Sequence, residues 1–250
     1  MRQDGDNPKV SAEGAGALLF DVAGPVFDPS LQERIWVFAD VLKTLPGVRE
    51  VAAGMNNLIV VFDPLRLDSD RLEAHLLAEW TKTVAAPAAG RLLDIPVVYG
   101  NEGSDLSEVA QEKGLTIERL VAMHTAPVYS VAAVGAMPGF VYLSGLDPRL
   151  ALPRRAVPRM GVPEGSVIIG GAQAGIMPLT APSGWHILGH TDFHLFDPLR
   201  EPPAALRAGG TQTRGRGRRS TAAAGSAPNR SLSFRGDHRR LDVSGGLVRG

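Results

Sequence analysis

Three regularly spaced histidines are the first residues in the sequence that suggest chemistry. His186, His190 and His194 follow one another at intervals of four residues. On a strand they share one face, but successive members lie about 13 Å apart, too far for one metal ion whose ligands lie about 2 Å away. A helix would bring them together, yet Gly184 and Gly189 disfavour one. We therefore expect these histidines at the surface or at a pocket rim, and we predict no metal ligand set in this chain.

A fourth histidine, His124, lies on the apolar side of a predicted helix. It follows Ile117 by seven residues and Leu120 by four, so the three side chains share one helix face. One interpretation is structural, a partly buried histidine near a helix C-terminus, where the helix dipole favours it. The other is catalytic, because an imidazole titrates near neutral pH and suits proton transfer to or from an amide. These residues leave both interpretations open.

Two arginines and a glutamine offer binding groups for a small acid or amide. Arg154 and Arg159 flank a proline-containing turn. Exposed arginines are usually only solvated, but two guanidinium groups held in this way suit a carboxylate or a phosphate. Gln173 has both a donor and an acceptor for a lactam or amide edge.

Aromatic residues and a tight turn complete the candidate binding groups. Phe140 and Trp185 can form the wall of a pocket, although such side chains are more often part of a core. The turn at Ser183, Gly184 and Trp185 presents backbone N–H groups of the kind that stabilise a developing oxyanion.

Composition and missing motifs exclude several classes of protein. The chain has no cysteine, which excludes a disulfide framework and a cysteine nucleophile. It has no Gly-x-Ser-x-Gly elbow, no Walker loop and no His-Glu-x-x-His motif. No apolar run approaches the roughly 18 residues that a membrane span needs, and the first residues do not resemble a signal peptide. We expect a cytoplasmic protein with no membrane partner.

The net charge of zero conceals two regions of opposite charge. Residues 207–250 hold ten arginines and two aspartates, which leaves 16 basic and 24 acidic residues in the rest of the chain. This segment shows no apolar periodicity, and its composition cannot bury enough apolar surface to offset the entropy of ordering. We predict a disordered tail at 207–250, either a natural extension or, as our hypothesis, out-of-frame sequence from about Gly209. The acidic remainder predicts no nucleic-acid partner.

The first 92 residues show alternating strand and helix patterns. Apolar runs predict strands at 17–22, 48–52 and 57–62, and apolar spacings of three and four predict helices that begin near Ser30 and after Asp68. The order β-α-β-β-α is typical of a small ferredoxin-like α+β sandwich.

The pattern changes after a linker of small residues at 83–90. Residues 93–99 predict a strand whose Pro96 suits a sheet edge, and two short helices follow, the second capped by Thr116. From Val128 onward, short apolar runs alternate with proline and glycine clusters, which is typical of a compact barrel or sandwich of short strands.

The segment 93–198 resembles a known family. The resemblance is carried by the motifs IPVVYG, MPGFVYLSGLD, PRRAVPR, PEGSVIIGGAQAGIMPLTAPSGWHILGHT and LFDP. These motifs are similar to those of the 5-oxoprolinase B subunit, the first subunit of allophanate hydrolase and the kinase inhibitor KipI, a family with carboxyltransferase subdomains C and D. The resemblance implies an α+β protein with a ferredoxin-like domain at 1–92, a cyclophilin-like β-barrel at 93–206 and the disordered tail.

Three positions depart from the family pattern. Ala136 stands at the first aromatic position of the family's Phe-x-Pro-Gly-Phe loop, and His190 replaces the arginine of its Gly-Arg-Thr motif. The closing Gly-Asp-x-Val-x-Phe strand of the family is missing after Pro202 and Pro203. We therefore expect a barrel that lacks its closing strand.

The resemblance implies a component of an ATP-dependent hydrolase that opens the lactam of 5-oxoproline to glutamate. The partners would be a larger homologous subunit and a LamB/YcsF-type subunit, the complex would use ATP, and the chain alone would be inactive. Two alternatives stay open. One is a KipI-like inhibitor of histidine-kinase autophosphorylation, with a histidine kinase as partner. The other is a component of allophanate hydrolase or urea carboxylase type, which would need a biotin carrier, and no Met-Lys biotinylation site occurs in the sequence.

The same resemblance completes the predicted site. It places His124 beside the loop at 138–140, which favours a role as acid or base. The predicted substrate-binding residues are Gly139, Phe140, Tyr142, Arg154, Arg159, Gln173, Ser183, Gly184 and Trp185.

Overall fold

The N-terminal part of the protein is a four-stranded antiparallel sheet with two helices. The structure is a computed structural model that describes residues 8–86, 90–101, 103–209 and 211–219. The elements of this part are β1 (Lys9–Ala12), β2 (Ala17–Asp21), α1 (Pro29–Leu42), β3 (Val48–Ala53), β4 (Asn57–Phe62) and α2 (Ser69–Lys82). The strand order is β1-β2-β4-β3. The predicted order β-α-β-β-α is therefore confirmed from β2 to α2, and β1 is an additional edge strand.

Aspartates and aromatic rings determine where the two helices begin and how they pack. Asp28 accepts a hydrogen bond from the amide of Ser30 at 2.8 Å, so α1 begins one residue earlier than predicted. The rings of Phe20, Phe38 and Trp80, from β2, α1 and α2, have centroids 4.9, 5.1 and 5.3 Å apart. All three side chains are buried. They form the centre of a core that is separate from that of the rest of the chain.

The C-terminal part is a closed seven-stranded barrel with two helices and a two-stranded ribbon. Its elements are β5 (Arg91–Tyr99), α3 (Leu106–Glu112), α4 (Ile117–Thr125), β6 (Val128–Val134), β7 (Val141–Ser144), β8 (Arg159–Val162), β9 (Ser166–Gly170), β10 (Gln173–Ile176), β11 (Ala181–Ser183), β12 (His186–His190) and β13 (Thr211–Arg219). The barrel order is β10-β7-β6-β13-β5-β12-β9, and β8 pairs with β11. Among the helices within the described ranges, none is long and apolar enough to cross a membrane.

The barrel strands bury both of their faces. On β9, Val167 and Ile169 belong to the large cluster that fills the barrel, together with side chains from α3 and α4. Ile168, between them, belongs to a second cluster with Trp185 and with Val162 of β8. Successive side chains of a strand point to opposite faces, so the second cluster lies on the outside of the barrel, beneath the β8–β11 ribbon. The predicted compact barrel of short strands is confirmed, and it has an outer apolar layer.

Strand β13 corrects the prediction that residues 207–250 are disordered and that the barrel lacks its closing strand. All nine residues of Thr211–Arg219 lie in parallel register with Arg91–Tyr99, and three of them also pair with β6. A strand can join a sheet through backbone N–H and C=O groups alone, so apolar periodicity is a poor guide to a closing strand. Thr213 is buried in this strand. Residues 220–250 lie outside the described part of the chain, and the out-of-frame hypothesis stays a prediction.

The same strand corrects the edge position predicted for β5. Because β5 lies between β12 and β13, it is an internal strand of the barrel. On the β12 side it pairs only through Val98 and Tyr99. Pro96, which lacks an N–H group, lies outside that short pairing and so removes no hydrogen bond from it.

Helix α1 is bound to the barrel through one backbone carbonyl. A register shift between Val131 and Ala133 leaves Ala132 outside the β6–β7 ladder. The carbonyl oxygen of Ala132 accepts hydrogen bonds from Gln32 Nε2 and Trp36 Nε1, each at 3.0 Å. Gln32 and Trp36 are one helical turn apart, so both can donate to the same group. This shared carbonyl links the two halves of the molecule.

Candidate functional site

Three of the predicted residues form an aromatic cluster on the outside of the barrel. The ring centroids of Phe140 and Tyr142 are 4.9 Å apart, and that of Trp185 lies 5.9 Å from Phe140 and 6.1 Å from Tyr142. All three pairs are edge-to-face, a favourable arrangement for aromatic rings. Phe140 and Trp185 are buried and Tyr142 is half-buried. The aromatic cluster, defined as these three residues, therefore has a partly accessible edge.

Glycine in β9 makes room for the indole of Trp185. A Cβ atom on Gly170 would lie 2.7 Å from Cγ of Trp185, closer than side chains normally approach. Gln173, the first residue of β10, is opposite Gly170 in the ladder and is half-buried. The structure thus places Gln173 next to the strand position that supports Trp185, at the margin of the aromatic cluster.

Arg154 lies above the aromatic cluster. Its guanidinium carbon is 5.7 Å from the centroid of the Trp185 ring, within cation–π range. The backbone around it is fixed by two hydrogen bonds: the amide of Arg155 donates to the carbonyl oxygen of Gly184 at 2.7 Å, and His186 Nε2 lies 3.0 Å from the carbonyl oxygen of Pro153. These contacts bring an exposed cation and an aromatic surface together.

The Gly139 loop and the Ser183 turn have mainly packing contacts. A Cβ atom on Gly139, whose φ is +77°, would lie 2.6 Å from Cβ of Phe196, so glycine is needed for this loop to pack on Phe196. The amide of Trp185 donates to Ser183 Oγ at 3.2 Å. Because this amide already has a partner, the predicted oxyanion site at the turn cannot rely on it.

Arg159 is held by a carboxylate that sequence reasoning did not single out. Asp105 accepts hydrogen bonds from both terminal nitrogens of Arg159, at 2.6 and 2.5 Å, from Arg155 at 3.0 Å and from the amide of Ile187 at 2.8 Å. The Asp105 side chain is 1% exposed. Arg159 is therefore part of a structural network and is not paired with Arg154 as the predicted anion clamp.

The electrostatics of this network follow from its contacts. Burial alone would raise the pKa of Asp105, but hydrogen bonds from Arg159 and the amide of Ile187, together with the two positive charges, hold that pKa below its usual value. The hydrogen bonds with Asp105 in turn raise the pKa of Arg159. The carboxylate of Asp105 stays ionised and Arg159 stays charged at neutral pH.

His124 lies inside the protein, away from the aromatic cluster. Its Nδ1 is 2.6 Å from the hydroxyl of Tyr99, and the hydroxyl of Tyr129 donates to the His124 carbonyl oxygen at 2.7 Å. Tyr99 and Tyr129 belong to the cluster that fills the barrel, whereas Phe140 belongs to the outer one. Burial lowers the pKa of His124 to about 4. This position favours the structural interpretation of His124, and its role as acid or base stays a prediction.

A cavity of about 560 Å³ lies elsewhere, between α1 and the barrel. Most of its lining consists of small apolar side chains, with the charged residues Glu33, Asp40, Lys43 and Arg207 among them. None of the predicted site residues lines it. The predicted binding groups therefore lie on an external surface around Arg154 and Trp185 and not in this cavity. Within the described ranges, no group of three or more acidic, histidine or cysteine side chains is arranged to hold a metal ion.

Comparison with known proteins decides the family. The family described as carboxyltransferase domain, subdomain C and D, matches residues 8–206. The chain belongs to this family. The B subunit of 5-oxoprolinase from Escherichia coli O157:H7 is 43% identical over 198 residues, which are 78% of this chain and 90% of that protein.

Solved structures agree with the family assignment. The crystal structure of TTHA0988 superposes with a TM-score of 0.70 at 33% identity over 85% of this chain, which corresponds to 41% of that longer chain. The Kluyveromyces lactis urea carboxylase superposes with a TM-score of 0.71 over 86% of this chain and 22% of its own. At 17% identity this second likeness shows the fold alone. The predicted membership of the family is confirmed.

Proposed function

We propose that the chain is the B-type subunit of a cytoplasmic, ATP-dependent 5-oxoprolinase. The observation that carries the proposal is the 43% identity to a 5-oxoprolinase B subunit over 90% of that protein's length. The partners in this proposal are a larger homologous subunit and a LamB/YcsF-type subunit. The two alternative functions have less support, because the likeness to urea carboxylase extends only to the fold.

The outer surface supplies chemistry that fits 5-oxoproline, a small lactam with one carboxylate. Arg154 is an exposed cation over the face of Trp185. A guanidinium group binds a carboxylate with two parallel hydrogen bonds. Gln173 offers a donor and an acceptor to the lactam N–H and C=O groups. We assign Arg154 to the substrate carboxylate and Gln173 to the lactam, with the edge of Tyr142 against the ring.

In the proposed reaction, ATP activates the lactam, whose carbonyl carbon is otherwise unreactive towards water. Resonance makes a lactam a poor electrophile, and transfer of a phosphoryl group to its oxygen would convert that oxygen into part of a good leaving group. The described residues of this chain hold no phosphate-binding loop of the Walker type, so the proposal gives this chain the task of holding substrate. Catalysis then belongs to the assembly, and the isolated chain is inactive.

The fold supports a finer classification of the two halves. We propose that residues 1–92 form a ferredoxin-like domain, because the order β2-α1-β3-β4-α2 and the neighbouring strands β2-β4-β3 fit that topology. We propose that the closed barrel is cyclophilin-like and that it extends from residue 93 to Arg219, beyond the limit of 206 expected from the sequence.

Reconstitution tests the proposed function. The chain is co-expressed with the two partner subunits, and glutamate release from 5-oxoproline is measured with and without ATP. We expect release only when this chain, both partners and ATP are all present. Equal release from an assembly without this chain would contradict the proposal.

A further inference from the structure

Asp105 connects three segments that surround the aromatic cluster. It lies at the start of α3, and its carboxylate binds Arg155 and Arg159 on one side and the amide of Ile187 on the other. The amide of Asp105 also donates to the carbonyl oxygen of Ile187 at 2.6 Å. The segment 155–159 and the start of strand β12, at Ile187, are therefore both hydrogen-bonded to the buried Asp105.

Each of the two segments bound to Asp105 is next to a residue of the proposed site. Arg154 immediately precedes Arg155, and Trp185 lies two residues before Ile187. The hydrogen bond from the Arg155 amide to Gly184 joins the two segments directly. Arg154 and Trp185 are thus positioned by backbone segments that Asp105 holds together.

The guanidinium group of Arg154 makes few contacts. Within the described part of the chain its guanidinium contacts the Trp185 ring and has no hydrogen bond or ion pair. A free arginine side chain has many rotamers, and fixing one of them costs conformational entropy. Its placement above the ring therefore depends on how firmly the backbone on either side is anchored.

The network is strong enough to provide that anchor. A buried carboxylate with several charge-assisted hydrogen bonds holds its donors in fixed directions, and leaving it without partners is costly. The surface pair Arg149–Asp147 has similar distances, 3.0 and 2.6 Å, but its arginine side chain is 66% exposed, against 28% for Arg155. That exposed pair connects residues only two apart in the chain.

We propose that Asp105 is a positioning residue that holds Arg154 over Trp185 through Arg155, Arg159 and Ile187. The inference rests on the proposed function, since it gives the Arg154 surface its binding geometry. A carboxylate ligand such as 5-oxoproline then meets a guanidinium group that is already in place.

The test removes one of the two arginines bound to Asp105 and is designed to leave the fold intact. Arg155→Met leaves Asp105 with Arg159 and the Ile187 amide, and Arg149→Met is the matched control. The full chain is labelled with 5-fluorotryptophan, and the ¹⁹F resonance of Trp185 is assigned by its loss in Trp185→Phe. We expect Arg155→Met to shift this resonance in the same direction as Arg154→Met, while Arg149→Met leaves it in place.

Kinetics of the assembled enzyme provide the second readout. We expect Arg155→Met to raise the KM for 5-oxoproline about tenfold with kcat nearly unchanged, since a displaced guanidinium group binds the substrate less tightly in the ground state and the transition state alike. Arg155→Lys, which keeps one charged donor to Asp105, should restore both readouts most of the way. If Arg155→Met fails to fold, Arg159→Lys is measured in its place with the same expectation.

The two possible failures can be told apart. A Trp185 resonance that does not move in the folded Arg155 or Arg159 variant overturns the positioning role of Asp105, whatever the kinetics. A resonance that moves while Arg154→Met leaves KM unchanged supports the positioning role and overturns the substrate role of Arg154.

Discussion

Burial determines which protonation state His124 can hold. Its ring lies between Tyr99 and Tyr129, with a hydroxyl on Nδ1. Burial raises the pKa of Tyr99 well above its usual value, so this hydroxyl keeps its proton and shares a hydrogen bond with a neutral imidazole. Sequence spacing correctly predicted the apolar helix face of His124, but it could not show how deeply the barrel covers it.

The first prediction concerns the pH dependence of stability. His124 has a pKa of about 4 in the folded protein and about 6.5 when unfolded. Between these values the unfolded state binds a proton that the folded state excludes, so the free energy of unfolding falls as pH falls from 6.5 to 4. The loss approaches about 3 kcal/mol. His124→Asn, which keeps an acceptor for Tyr99, should lack this part of the loss.

Urea unfolding of the wild-type protein and of His124→Asn between pH 7 and pH 4.5 measures this contribution of His124 to stability. The carboxylates are common to both, so only the difference between wild type and variant is interpreted. The same pH slope in both proteins would contradict the buried, neutral state of His124.

At the scale of strands, close packing explains the glycine at the end of β9. Gly170→Ala would place a methyl group 2.7 Å from the Trp185 ring. We expect a loss of about 1–3 kcal/mol in the free energy of unfolding and a changed Trp185 environment, as is usual for overpacking. Gly161→Ala, on β8 with no atom within 4 Å, is the control and should change stability by less than about 0.5 kcal/mol. Equal effects of the two changes would contradict the packing of Trp185 on β9.

A second prediction at this scale concerns β13. A chain that ends after residue 209 loses the strand that pairs with β5 and β6 and exposes their backbone groups. We expect it to aggregate or to unfold at markedly lower urea concentration. A chain that ends after Arg219 keeps β13 and should match the full chain. Equal stability of all three chains would show that β13 does not close the barrel.

The sequence predicted helices and strands better than it predicted contacts between residues far apart in the chain. Helices α1, α2 and α4 and most strands follow local periodicity and capping residues such as Asp68 and Thr116, which a sequence displays directly. The ion pair between Asp105 and Arg159 spans 54 residues and leaves no local signal. The sequence pattern predicted only a short helix in this region. It therefore gave no sign that Asp105 forms an ion pair with Arg159. Strand β13 was missed because backbone pairing, and not apolar side chains, holds it.

At the scale of the molecule, α1 is joined to the barrel through the Ala132 carbonyl. Gln32 and Trp36 both donate to it, so either donor alone still satisfies the oxygen. We expect Trp36→Phe to cost about 1 kcal/mol. Combined with Gln32→Ala it should cost more than the sum of the two single changes, because only the double variant leaves the carbonyl without a donor. A double-mutant cycle by urea unfolding measures this coupling, and strict additivity would contradict the shared acceptor.

In the proposed function, the Arg154 surface is the place where the assembly holds its substrate. The matched unit is 41% of the TTHA0988 chain and 22% of the urea carboxylase chain, so in those proteins it is joined to further sequence. A surface site on the outside of the barrel is accessible to such neighbours. A site in the cavity near α1 would not contain the predicted binding groups.

The most direct measurement compares 5-oxoproline with 2-pyrrolidinone, the same lactam without its carboxylate, in the assembled enzyme. With the wild-type chain and with Arg149→Met, we predict a strong preference for 5-oxoproline in kcat/KM. With Arg154→Met, that preference should fall about tenfold or more, as expected when a charge-assisted bidentate contact is lost. An unchanged preference in the Arg154 variant would contradict the claim that this surface holds the substrate carboxylate.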